Sequence, residues 1–412
     1  MAKPKLGLIP SAQGSKFYSV LPSSGVGDFD FTRSGSATRI NSQGLIETVG
    51  NGVSRLNYPL IDGKVVGCPH HILEPQSTNQ IINSENLSDS SWGKTNAVID
   101  SNSTISPDGT QNADRINFSI SSGFGRIQKT SLSSVNSVSF FIKHIDLDYI
   151  LFFCGGSSRG NYINIKEGYV TSTTLGGGMD IVIKKYPNDW LRIEASDANN
   201  GTSLEIYAAN STPTYSPITS NGSFYLWGCQ AETNSYPTSY IPTNGSAVTR
   251  SAETANGSGD ADTFNDSEGV LMAEIANSET TTGSYLGICN GSSNERLIIG
   301  NEGGLLRVYT DVFVSGSVQS ANKDFNKIAV KYNSSNTSIY YNGFLIKSIN
   351  QSANLSGINE LKFTSGGNAQ NFYGNTKQLQ YYDSALTDSE LETLTSWVSF
   401  SDMAEGQLYT IE

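Results

Sequence analysis

Short apolar runs, broken by Gly, Ser, Asn and Thr, recur along this chain. SVSFFIKH (Ser137 to His144) and FYLWGCQAE (Phe224 to Glu232) are rich in strand-forming residues. From Lys327 to Tyr332 the pattern alternates. Ile328, Val330 and Tyr332 face one way, and Lys327, Ala329 and Lys331 the other. SIYYNGFLIKSI sets Asn342-Gly343 between two apolar runs, a hairpin signal because both turn residues tolerate positive φ. Nearer the start, Phe29 and Phe31 alternate with Asp28 and Asp30. Ala37 to Ile40 and Leu45-Ile46 then flank a turn at Asn41 to Gly44. A single helix is predicted, in TDSELETLTSW, where Thr387 and Glu390 form a capping box and Leu391 and Leu394 an apolar stripe.

The chain also matches itself at an offset of 135. YILFFCGGSSRGNYINIKEG, Tyr149 to Gly168, lies over SYLGICNGSSNERLIIGNEG, Ser284 to Gly303. Leu151, Cys154, Gly156, Ser157, Ile163 and Gly168 fall on Leu286, Cys289, Gly291, Ser292, Ile298 and Gly303. In the same register DWLRI at Asp189 falls on DFNKI at Asp324. Each copy reads as a buried strand, a Gly/Ser turn and a second strand. The pattern predicts an all-β chain: an N-terminal hairpin-rich segment, then two tandem antiparallel β-sandwiches and one short C-terminal helix. The expected divisions are 1–78 for the N-terminal segment, 79–250 for the first sandwich, 251–265 for a linker, 266–400 for the second sandwich and 401–412 for a tail.

Composition supports strands over helices. Only 16% of the 412 residues are charged, and Gly alone accounts for 41. Length is sufficient for two or three cores without metals or disulfides. The net charge of -12 and the lack of a Lys/Arg cluster argue against a nucleic-acid partner. No stretch has the length and apolarity of a membrane-spanning helix, so no membrane insertion is expected. The start, MAKPKLGLIPSAQGSKF, has no apolar signal region. Cys68, Cys154, Cys229 and Cys289 are widely spaced and read as buried thiols.

A small-residue phrase ending in arginine occurs twice, as GSATR (Gly35 to Arg39) and GSAVTR (Gly245 to Arg250). Both copies read as strands at the boundaries of the first sandwich. Arg33, Arg39, Arg55 and Arg250 are expected to pair with the surplus acids.

Four phrases carry a resemblance: LGLIPSAQGSKFYSVLP, DFDFTRSGSATRINSQGLIE, ILEPQSTNQIINSENLS and LWGCQAETNSYPTSYIPTNGSAVTR. They resemble fibre, spike or decoration proteins of tailed bacteriophages. Asn79 through Pro242 looks like a jelly roll of the carbohydrate-binding type. Asp266 to Trp397, through SIYYNGFLIKSI and QLQYYDSALTDSELETL, resembles a laminin G-like, concanavalin A-like sandwich. The resemblance implies a virion component made in the bacterial cytoplasm. It implies a homotrimer whose partners are other virion proteins and a host surface glycan, with the N-terminal segment as the natural attachment point. A glycan-degrading depolymerase and a bacterial surface adhesin are the alternatives.

The acids do not read as catalytic. Asp146 and Asp148 would lie on one strand face, and Glu167, Glu194 and Glu302 read as turn or surface groups. His70 and His71 are neighbours on extended chain and would point oppositely, so a shared metal is not expected. Asp260 and Asp262 have oxygens suited to Ca²⁺ but lack a full ligand set, and no cofactor is expected. Sugar binding needs aromatic platforms beside amides and acids. Trp190 and Trp227 sit in strand contexts and are expected in cores. Strand parity puts Tyr382 opposite Leu379 and Tyr381, and Tyr340 opposite Ile339 and Tyr341. With Trp92 in the polar stretch DSSWGKTN, these make three candidate carbohydrate-binding residues: Trp92, Tyr340 and Tyr382.

Overall fold

The computed structural model describes residues 2–407 apart from 157, 211–220, 279–281, 311–318, 321–322 and 368. Ser157 of the internal match and 408–412 of the expected tail lie outside the described residues. Two antiparallel β-sandwiches are present, as the apolar pattern predicts. In the first, six strands in the order Gly93–Thr95, Arg126–Lys129, Ser203–Ala209, Tyr149–Gly155, Arg159–Asn164 and Tyr169–Leu175 face a second sheet of six. That sheet runs Ala97–Thr104, Ala113–Phe118, Gly222–Glu232, Ser137–His144, Trp190–Ser196 and Asp180–Tyr186. Alternate residues of both sheets, among them Phe140, Ile150, Phe152, Ile193, Phe224 and Leu226, close the core between them. Phe140 and Phe152 meet edge to face across it, 5.2 Å between centroids.

The second sandwich sets a five-stranded sheet against one of eleven strands. Here the chain departs from the expected divisions. Leu6–Gln13 pairs antiparallel with Gly374–Tyr382, placing Leu6 opposite Tyr381 and Leu8 opposite Leu379. Lys16–Leu21, Phe29–Thr32 and Thr254–Asn256 extend the same sheet outward. The segment read as a lead-in and the segment read as a linker therefore both supply strands to the second sandwich. Phe17, Phe29 and Phe31 are buried with Leu271, Leu379 and Tyr381. The Phe/Asp alternation has a plain cause: one face of Phe29–Thr32 meets that core and the other meets water.

The rest of the N-terminal segment packs on the first sandwich. The hairpin of Ala37–Ile40 with Ile46–Val49 brings Ile46 onto Phe141, Tyr186, Trp190, Trp227 and Tyr240, on the sheet face away from the main core. Trp190 and Trp227 are core residues, as expected, but of this small second core. Ser77–Asn79 pairs with Val248–Arg250 where the chain enters and leaves the first sandwich. GSAVTR is thus an exit strand, whereas GSATR belongs to the covering hairpin and the entry strand is Ser77–Asn79.

These parts meet around buried charge. The Arg55 guanidinium donates from Nε to Glu253 Oε1 and from Nη2 to Glu74 Oε2, both at 2.8 Å. It also reaches Glu253 Oε2, the Thr38 carbonyl and Ser239 Oγ. Arg33 donates to Glu253 Oε1 at 2.8 Å, and Arg250 lies 2.9 Å from Glu74 Oε2. Arg55, Arg250 and Glu253 are at most 1% exposed. Burial alone would push the Glu74 carboxyl up, but Arg250 and Arg55 hold it far below the usual carboxylate range. Arg39 pairs with Glu47 across its own hairpin at 2.8 Å, so the four arginines find acids as their surplus predicts.

The internal match holds at the level of strands, not residues. Gly269–Asn277, Ser284–Cys289, Arg296–Glu302, Leu305–Thr310 and Asn326–Tyr332 repeat the order and pairing of Ser137–His144, Tyr149–Gly155, Arg159–Asn164, Tyr169–Leu175 and Trp190–Ser196. Val138, Phe140 and Ile193 face one core where their matches Ala273, Ile275 and Ile328 face the other. In the hairpin the faces are exchanged. Ile150, Phe152 and Cys154 point into the first core, but Leu286 and Ile288 into the second, while Leu151 lies on the outer face. Matching Cys154 to Cys289 is therefore one residue out of step, and a one-residue slip turns every side chain over.

The predicted helix is Asp388–Thr395, and Thr387 and Glu390 make the capping box in both directions. A second helix, Phe400–Gln407, follows where a tail was expected. Asn342 and Gly343 have φ of 47° and 91°, as the hairpin turn requires.

Glu253→Gln leaves Arg33 and Arg55 buried without their shared carboxylate. It is expected to destabilise the protein by about 3–5 kcal/mol, read as a lowered midpoint in urea unfolding. Arg39→Gln, at a half-exposed pair, is expected to cost no more than about 1 kcal/mol.

Candidate functional site

The three sugar-binding candidates are all enclosed. Trp92 is 2% exposed, packs into the first core and donates its indole N–H to the Asn83 carbonyl at 2.9 Å. The parity argument is right for Tyr340 and Tyr382, since both point away from Ile339, Leu379 and Tyr381. That outer face is not open, however. Helix Asp388–Thr395 lies over it, and Leu386 and Leu391 pack on Tyr340, Tyr382, Val270 and Met272. The Tyr340 hydroxyl donates to Asp388 Oδ1 at 2.7 Å, and that of Tyr382 to Gln380 Oε1 at 2.7 Å. These aromatics hold the helix to the sheet and offer no platform to a sugar.

The other singled-out groups are engaged in structure. Asp260 Oδ1 accepts from the Asp262 and Thr263 backbone N–H groups and the Thr263 hydroxyl, closing a turn. Among the described residues no group of three or more His, Cys, Asp or Glu is placed to hold a metal. Asp146 Oδ1 accepts from the Ser223 hydroxyl at 2.8 Å, and Asp148 meets His144 Nε2 at 2.7 Å. Cys154, Cys229 and Cys289 are buried, but Cys68 is exposed. His70 and His71 do point oppositely: His71 stacks on Phe17, 3.9 Å between centroids, and His70 lies edge-on to Phe325.

His70 marks the more interesting place. It sits at the floor of a cleft of about 700 Å³ between the two sandwiches. One wall is the Asp180–Tyr186 and Trp190–Ser196 edge of the first sandwich, with Lys184 and Glu194. The opposite wall belongs to the second sandwich: Asn277, Ser278, Lys323, Phe325 and Asn375. Tyr58 and Asp62 come from the N-terminal segment, and Tyr236 from the chain leaving the first sandwich. Lys184 Nζ lies 2.9 Å from Glu194 Oε2, and Arg192 Nη1 3.2 Å from Glu194 Oε1. Burial raises the Glu194 carboxyl, but Lys184 and Arg192 outweigh it and hold the group low. The Lys323 ammonium stands over the Tyr236 ring at 5.7 Å.

Reading the sequence missed this cleft because its walls come from stretches around residues 58, 190, 236, 277 and 323. No local pattern joins them. Tyr236 was nonetheless inside YPTSYIP, a phrase already distinctive in the sequence.

A scan against protein-family models finds no match, and a search of curated proteins finds none. Solved structures give loose likenesses. One is the sialidase CBM40 of Ruminococcus gnavus bound to α2,3 sialyllactose, at 17% identity and TM-score 0.28, over 32% of this chain and 84% of that one. Another is domain 4 of AbnA, a GH43 arabinanase from Geobacillus stearothermophilus, in complex with arabinotriose. It matches at 14% identity and TM-score 0.30, over 35% of this chain and 73% of that one. Trypanosoma rangeli sialidase matches over 93% of this chain and 78% of its own at 12% identity and TM-score 0.29. Superpositions this loose carry no function to the present chain.

Acid sensitivity follows from the histidines. Burial lowers both His70 and His71 to about 3 from an ordinary value of 6.5. Between those values the unfolded chain binds more protons than the folded one, so stability is lost as pH falls below 6.5 toward 3. The thermal midpoint is expected to drop between about pH 7.5 and 5, and His71→Phe, which keeps the stack on Phe17, is expected to flatten that drop.

Proposed function

We propose that the protein is a non-enzymatic structural component of a tailed-bacteriophage virion, a fibre or spike part that contacts host surface glycans. One observation supports this most. Three of the four phrases that resemble phage structural proteins supply the buried charge cluster where the two sandwiches meet. Arg33 and Thr38 come from DFDFTRSGSATR, Glu74 from ILEPQSTNQ, and Ser239 and Arg250 from YPTSYIPTNGSAVTR, and all meet at Arg55 and Glu253 or at Glu74. Chemistry spent on rigid coupling of modules suits a load-bearing particle component.

The two glutamates of the cleft, Glu74 and Glu194, favour a binding role over a hydrolytic one. A glycosidase general acid needs a raised pKa. Glu74 and Glu194 are both held low by their arginine and lysine partners. Incubation with host polysaccharide is expected to give no shorter products; chain-shortening abolished by Glu194→Gln would overturn this reading.

Proteomics of purified virions is expected to find the chain at a defined copy number, and its absence removes the virion assignment. Light scattering is expected to give a mass near three times 44.2 kDa for a homotrimer. A stable monomer in the same measurement contradicts the trimer.

A further inference from the structure

We propose that the cleft between the two sandwiches binds a short, neutral saccharide, with Tyr236 and Tyr58 as ring platforms and Asn277 and Asn375 as hydrogen-bonding groups. This rests on the glycan-contacting reading above and gives that contact a place. The cleft, about 700 Å³, falls within the range of about 300–1,000 Å³ usual for small-ligand sites. Its shape is held from beneath. Thr238 and Ser239, next to Tyr236 and Pro237, are tied to Arg250 by hydrogen bonds of 3.1 and 3.0 Å. The walls therefore stand on the buried charge cluster and are set before a ligand arrives.

The ligand class follows from charge and hydrogen-bonding capacity. Among the described residues five cations line the cleft, Arg39, Lys184, Lys185, Arg192 and Lys323, against four acids, Asp62, Glu74, Glu194 and Asp324. The charges are mostly spent on each other: Arg39 on Glu47, Lys185 on Asp62, and Lys184 and Arg192 on Glu194. Glu74 is held by Arg55 and Arg250. The described residues leave no single-sign field to draw in a polyanion. Tyr58, Tyr236, Phe325, Asn277 and Asn375 line the space, together with aliphatic side chains such as Leu60 and Ile183. Asn277 Oδ1 is enclosed and accepts no hydrogen bond from the described residues. A turn of this amide toward the cleft presents it to a sugar hydroxyl, with Tyr58 and Tyr236, the latter carrying Lys323 on one ring face, lining the same space.

The test uses the full chain on an array of neutral and acidic bacterial surface glycans, then calorimetric titration with the best-bound neutral oligosaccharide. Neutral glycans are expected to bind. Tyr236→Ala and Asn277→Ala are each expected to weaken binding by about tenfold or more. Tyr236→Phe, which keeps the ring, is expected to bind nearly as well and guards against a folding defect. The proposal is overturned if no neutral glycan binds, if only acidic glycans bind, or if both alanine variants bind like the parent. The two readings fail separately. Virion detection without neutral-glycan binding removes the cleft assignment alone, and binding without virion detection removes the virion assignment alone.

Discussion

Arg55 is fully buried, and a guanidinium remains there only when its donors are matched by acceptors fixed in place. Glu253 and Glu74 supply two carboxylates, and the Thr38 carbonyl and Ser239 hydroxyl complete the fork. Those partners stand at residues 38, 74, 239 and 253, before and after most of the first sandwich in sequence. None of them can move without leaving charge unpaired in a low-dielectric interior, where the penalty is several kcal/mol. Much of the arrangement described here depends on that constraint. It ties the N-terminal hairpins to the first sandwich and the strand Thr254–Asn256 to the second.

The second sandwich is completed by strands from the start of the chain. Without Leu6–Gln13 the Leu379–Tyr381 half of that edge of Gly374–Tyr382 is unpaired, and Leu271, Leu379 and Tyr381 lose the cover of Leu6, Leu8 and Phe17. The first sandwich is in effect an insertion between the two parts of its neighbour, entered at Ser77–Asn79 and left at Val248–Arg250. Paired entry and exit strands keep that insertion from swinging. The cleft at the junction is then a fixed feature and not a gap between loosely joined beads.

Local patterning was legible wherever a strand or turn depends on its own residues. The hairpin at Asn342-Gly343, the capping box at Thr387 and Glu390, and the faces of Tyr340 and Tyr382 all stand as the sequence suggests. What parity cannot tell is whether the second face of a strand meets water. Helix Asp388–Thr395 covers Tyr340 and Tyr382, so three plausible sugar platforms, Trp92 included, prove to be packing residues. The internal match teaches a related lesson. Its strand order is real, yet the Cys154 and Cys289 hairpins present opposite faces to their cores. Gly/Ser-rich turns align easily at any register, whereas burial distinguishes odd from even positions.

The all-β class, the two sandwiches, the helix cap and the arginine–acid pairing can be read from the residues alone, because each arises from periodicity, local turn chemistry or charge surplus. Long-range packing assigns the N-terminal strands to the distant second sandwich and brings residues 38, 74, 239 and 253 together on Arg55. It alone brought Tyr58, Tyr236, Asn277 and Lys323 to one cleft. The reason is physical. Pairing at a sheet edge and satisfaction of a buried charge are contacts between remote residues, and any exposed strand edge or any carboxylate meets the local requirement equally well. The choice among them is made by the one packing in which every buried donor finds its acceptor.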